Sequence, residues 1–192
     1  MTLPADLPVL AFADQAAFEE WLEAEHATAP GCYVKLAKKG AGVPSLTRDE
    51  MVESLLCFGW IDGRSNSVDG SWWLTRVTPR RPRSVWSAKN VGIVEELTAA
   101  GRMRPAGLAQ VEAARADGRW DRAYAGPATI TVPDDLAAAL AADPAAQAAF
   151  AGLDGTNRYA VLWRVHTAAN PATRARRIAA LVGMLAEGRT PH

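Results

Sequence analysis

Asp69-Gly70 stands between two tryptophan-bearing runs, 60–65 (WIDGRS) and 72–77 (WWLTRV). An Asp-Gly pair accepts the backbone angles of a tight hairpin turn that most residues resist. The flanking runs therefore predict two antiparallel strands. A further extended segment, 32–37 (CYVKLA), follows the Pro30-Gly31 break, and its Tyr33 and Val34 favour a strand. A sheet of about three strands persists only when a helical layer covers one face. The expected class is α+β: a small antiparallel sheet of about three strands packed with helices, followed by a helical C-terminal subdomain.

The helices announce themselves by their caps. Asp14 can cap a helix over 14–27, with Phe18, Trp21 and Leu22 on one face. Thr47 and Glu50 have the spacing of a capping box, and Leu46 and Met51 that of the hydrophobic staple beside it. Met51, Val52, Leu55 and Leu56 continue that helix as a core stripe until Gly59. After the prolines at 79 and 82 the chain turns helical. One helix runs from near Ser87 to Gly101, with Ile93, Val94 and Leu97 inward, and Pro105 opens another that ends at Gly118. Pro133, Asp143-Pro144 and Asn170-Pro171 start further helices, with 157–168 between them. Residues 125–133 (AGPATITVP) read as a linker, so the expected division is 1–125 and 133–192.

Composition limits the functions. The hydrophobic set makes up 49% of the 192 residues, enough for a core without disulfide or metal. The 21 basic and 21 acidic residues cancel, which argues against nucleic acid as a general partner. Locally the charges segregate. Residues 1–34 carry Asp6, Asp14, Glu19, Glu20, Glu23 and Glu25 with no Lys or Arg, and residues 75–94 carry Arg76, Arg80, Arg81, Arg83 and Lys89 with no acid. The N-terminal stretch lacks the pattern of a leader, and no segment approaches a membrane span, so the expected location is the cytoplasm without membrane insertion. Cys32 and Cys57 form no CxxC, and the second sits among Leu55, Leu56 and Phe58 as a small buried hydrophobe. His26, His166 and His192 do not cluster, no phosphate loop or nucleophile elbow is present, and neither metal nor cofactor is expected.

Two segments carry candidate chemistry. In Gly59-Trp60-Ile61-Asp62-Gly63 a carboxylate lies among apolar residues and needs partners. It either pins the hairpin to the arginines at 76–83 or serves as an acid/base group in a pocket. PRRPRSVWSAKN (79–90) joins arginines, serines, Trp86 and Asn90 at a helix start, where free N–H groups and bidentate arginines suit an anion. The alternative is a solvated basic loop with internal ion pairs. The predicted ligand face comprises Trp60, Asp62, Arg80, Arg83, Trp86, Ser87 and Asn90. Arg174, Arg176 and Arg177 form either a solvated basic face or a second binding surface, beside a core stripe of Ile178, Leu181, Val182 and Leu185. His166 falls in register with Tyr159, Leu162 and Trp163, which reads as the edge of a packed face.

The segments KLAKKGAGVPSLTRDEMVESLLCFGWIDG (35–63), TPRRPRSVWSAKN (78–90), AAGRMRPAGLAQVEAARADGRWDRAY (99–124) and TRARRIAALVGMLAEG (173–188) resemble the YdeI/OmpD-associated, or bacteriocin-protection, family over roughly 30–188. One departure stands before 173, where Ala168-Ala169-Asn170-Pro171 replaces the family's Ala-Lys and short turn. The resemblance implies a bacterial protein with a role in tolerance of antimicrobial peptides or stress, and it carries no catalytic residue with it. The expected function is a non-enzymatic binding module for an anionic small molecule or protein partner, monomeric or homodimeric. Two alternatives stay open: an enzyme on a small acidic substrate with Asp62 as acid/base, and a weak binder of single-stranded nucleic acid.

Overall fold

The computed structural model describes residues 4–192; Met1, Thr2 and Leu3, which open the stretch read as lacking a leader, lie outside the described residues. The chain divides into two compact units. The first runs to Ser84 and resumes over Asn90–Trp120, and the second comprises Val85–Lys89 and Asp121–His192.

The first unit holds the sheet: β1 (Val9–Ala11), β2 (Cys32–Ala37), β3 (Trp60–Ser67) and β4 (Trp72–Pro79). The strand order is β1-β2-β4-β3, with β1 parallel to β2 and the other pairs antiparallel. The α+β class is as expected, while the sheet is mixed and gains a fourth strand. Residues Val9–Ala11 are too short to show period-two alternation, and their pairing with Tyr33, Val34 and Lys35 is non-local. The hairpin forms around Asp69, whose carboxylate accepts the N–H groups of Ser71 and Trp72 at 2.8 and 3.0 Å. Gly63 and Arg64 bulge out of β3 where the register shifts between Asp62 and Ser65.

Helices α1 (Gln15–Glu25) and α2 (Arg48–Cys57) pack on each other, and α2 packs on β3. Both caps act as their sequences require. Asp14 accepts the Ala17 N–H at 2.9 Å, and Thr47 and Glu50 exchange bonds of 3.3 and 2.8 Å. Cys32, Val34 and Leu36 of β2 are buried and alternate with half-buried Tyr33, Lys35 and Ala37, so one face of the strand joins the core. Phe18, Leu22, Leu46, Met51 and Leu55 are buried as well. Arg102 ties the two helices by donating to Glu53 at 2.6 Å and Glu19 at 3.0 Å. Helix α3 (Ala88–Ala99) buries Val94 and Leu97. Helix α4 (Pro105–Ala116) meets α2 closely, because Gly107 has no side chain to hold the Cys57 carbonyl away.

The second unit contains α5 (Asp134–Ala141), α6 (Pro144–Ala151), α7 (Gly155–His166) and α8 (Pro171–Ala186). Asp143, Asp154 and Asn170 cap α6, α7 and α8 through bonds to backbone N–H groups of 2.8–3.0 Å. Its core joins Leu136, Leu140, Phe150, Val161, Leu162, Val165, Ile178, Leu181 and Leu185. The stripe expected on the last helix is buried as Ile178, Leu181 and Leu185, with Val182 half-buried beside them. No described helix is long and apolar enough to cross a membrane.

Candidate functional site

The residues of the predicted ligand face fall in both units, and three of them, Trp60, Arg80 and Trp86, are buried. Trp60 is 1% exposed. Its indole donates to the His26 carbonyl at 3.1 Å and meets Trp21 edge-on at 5.7 Å, so it is a core residue and not an open wall. Arg80 is also buried, 6% exposed, which corrects the expectation that the cations at 80 and 83 both open to solvent. Its backbone N–H reaches the Gly59 carbonyl at 3.0 Å, which continues the β3–β4 pairing one step beyond Trp60 and Pro79. Arg83 is exposed.

Asp62 pairs at 3.6 Å with Arg48 in the first turn of α2, not with an arginine at 76–83. The Asp62 side chain is 21% exposed and Arg48 67%, so this ion pair is open to water. Trp86 and Ser87 belong to the second unit and Asn90 to the first. Trp86 is 2% exposed. The start of α3 is engaged by its own unit: Ser87 bridges Tyr124, and the Ala88 N–H donates to the Tyr124 carbonyl at 2.9 Å. That N–H would otherwise serve an anion at the helix start.

The second unit carries concave surface. One cleft, about 610 Å³, is lined by Tyr124, Pro127, Tyr159, Trp163, Arg164 and His192, with Gly155, Thr156 and Ala160 at the α7 side. A second, about 550 Å³, is lined by Trp163, Arg164, Arg177, Leu181, Met184 and Arg189. Both volumes lie within the range of small-molecule sites, about 300–1,000 Å³. Trp163 and Arg164 line both clefts, so the two adjoin along α7.

The local sequence explains this arrangement. Val161, Leu162 and Val165 turn into the core, which leaves Tyr159, Trp163 and His166 half-buried along another side of α7. The aromatic register read as a packed edge is therefore partly a cleft lining. Tyr124 meets the Trp163 ring edge-on at 5.9 Å. Burial raises the Tyr159 phenol above its ordinary pKa, with a smaller contribution from Tyr124, so it is neutral at physiological pH.

The arginines of this unit differ in what they do. Arg174 grips Asp135 through bonds of 2.6 and 2.8 Å and the Val165 carbonyl at 3.0 Å, which makes it a clamp between α5 and α8. The Arg174 guanidinium holds the Asp135 carboxyl below its usual range. Arg177 donates to the Arg164 carbonyl at 2.7 Å and the Thr167 hydroxyl at 3.4 Å. Neither Arg164 nor Arg177 forms an ion pair with a carboxylate among the described residues. Arg189 pairs with Glu187 at the surface. Of the basic residues singled out in the C-terminal helix, then, Arg174 is structural, Arg177 lines a cleft and Arg176 is exposed.

His166 faces the Thr131 carbonyl at 2.9 Å, a structural contact. It borders a third cleft with Asp121, Arg122, Asn170 and Arg174. Among the described residues no group of His, Cys, Asp and Glu could hold a metal ion.

Two family models match the chain. Residues 10–110 match the one described as a domain of unknown function (DUF8412), and residues 129–188 match the one described as bacteriocin-protection, YdeI or OmpD-associated. The resemblance read over roughly 30–188 thus coincides with its family in the C-terminal helices, while 35–63 and 78–90 fall in the other match. No curated protein and no solved structure matches the chain.

Proposed function

We propose, for a chain that belongs to the DUF8412 family through residues 10–110 and carries the bacteriocin-protection, YdeI or OmpD-associated segment at 129–188, that it protects bacterial cells against bacteriocins by binding rather than catalysis. The recognition element is the pair of clefts along α7 and α8, and the partner is anionic. We place the protein in the cytoplasm. The observation that carries this reading is the company Arg164 and Arg177 keep. They line adjoining clefts inside the family-matched segment, and no Asp or Glu lines either one.

Unneutralised guanidinium groups over apolar walls attract an anion and repel a cation. A cationic antimicrobial peptide is thus a poor occupant, and protection would run through an anionic cellular partner instead of capture of the peptide. An enzymatic role centred on Asp62 has less support, because that carboxylate is paired with Arg48 and lines none of the three clefts.

The test is survival. A bacterial strain lacking the gene is expected to lose tolerance to a bacteriocin challenge, to regain it with the wild-type gene, and not to regain it with Arg164→Gln. Unchanged tolerance on deletion would overturn the protective role. Full rescue by Arg164→Gln would remove the clefts from it.

A further inference from the structure

We infer that the adjoining clefts form one bipartite site for a ring-bearing anion: a flat aromatic group attached to a single phosphate or carboxylate. This rests on the reading of the clefts as the recognition element, and names the class of ligand they take.

The two halves differ in chemistry. The first presents Tyr124, Tyr159 and Trp163 with Pro127, and Arg164 stands at its junction with the second. Aromatic side chains hold a flat ring through offset or edge-on contacts, each worth more than its buried area alone. The second half presents Arg164, Arg177 and Arg189 around Leu181 and Met184. A guanidinium pairs with phosphate or carboxylate through two parallel N–H bonds.

Arg177 is held for this purpose. The Arg164 carbonyl and Thr167 hydroxyl take bonds from one terminal nitrogen, so little side-chain freedom is lost when an anion arrives. Trp163 and Arg164, consecutive in the chain, line both halves. A ligand with its ring on the Tyr124 side and its charge on the Arg177 side would touch both at once. No Asp or Glu lines either half, and while Glu187 pairs with Arg189, Arg164 and Arg177 have no carboxylate partner among the described residues.

The full chain is titrated by calorimetry with phenyl phosphate, benzoate, inorganic phosphate and benzyl alcohol, and the same additions are followed by amide and indole chemical shifts. Phenyl phosphate, benzoate or both are expected to bind saturably and to move the Trp163 indole signal; the stronger of the two tells whether the charged group is phosphate or carboxylate. Inorganic phosphate lacks the ring and benzyl alcohol the charge, so each is expected to bind at least about tenfold more weakly than the better ring-bearing anion. Arg164→Gln is expected to weaken that anion roughly tenfold or more by removing a charged hydrogen-bond donor, with the melting temperature unchanged.

If Arg164→Gln does not fold, Arg189→Gln, a change at an exposed position, is expected to weaken the same ligand while leaving benzyl alcohol unaffected. No saturable binding of either ring-bearing anion, equal affinity for benzyl alcohol, or shifts that bypass Trp163 would overturn the inference. Survival lost on deletion but without such binding would leave the protective role standing and remove this ligand. Binding without any survival effect would do the reverse.

Discussion

Cys32 and Cys57 show how far a single side chain follows from its neighbours in sequence. Both are buried and free. Burial pushes the Cys32 thiol up to about 12, and it pushes Cys57 up to about 11, with Arg102 opposing in part. A thiol raised this far above its ordinary range carries almost no thiolate near neutrality, and the thiolate is the reactive form. Iodoacetamide at pH 8 is expected to leave both cysteines unmodified in the folded chain and to alkylate both in denaturant, as read by mass spectrometry. Modification of either in the native protein would contradict their burial. The apolar run around Cys57 made its burial readable in advance. The burial of Arg80 was not readable, because nothing in PRRPR distinguishes the first arginine from the others.

Elements are legible where their signals are local. The capping box at Thr47 and Glu50, the Asp14 cap and the Asn170 cap each act within one helical turn, so the chain carries them wherever it folds. The hairpin at Asp69 is equally local. Strand β1 and the bulge at Gly63-Arg64 depend on a partner strand, and no periodicity announces them.

The crossing of α2 and α4 is a third such case. A Cβ on Gly107 would stand 2.3 Å from the Cys57 carbonyl oxygen and 2.6 Å from that of Leu56, a contact with backbone that no rotamer relieves. Gly107→Ala is expected to destabilise the chain by about 1–3 kcal/mol despite alanine's better helix propensity. Denaturant unfolding checks this. A stabilised variant would mean that α4 sits further from α2.

Across the whole molecule, charge is balanced and the sequence pI is about 6.8. The basic run at 75–94 is offset by acids elsewhere, and Arg80 within it is buried. Binding to a phosphate backbone releases counterions and weakens steeply with salt. A gel-shift titration with a single-stranded oligonucleotide is therefore expected to show no salt-sensitive complex; a clear salt-sensitive shift would favour the alternative of a weak binder of single-stranded nucleic acid.

By itself the sequence determined the α+β class, the helix starts, the hairpin and the two hydrophobic stripes, because each depends on residues within a few positions of one another. The tertiary structure alone decided which cations meet solvent and where concave surface forms. Trp163 and Arg164 become cleft residues only because Val161, Leu162 and Val165 are drawn into a core with Leu136, Phe150 and Ile178. That choice of face is made by partners far along the chain, and burial, unlike a cap, is a property of all of them together.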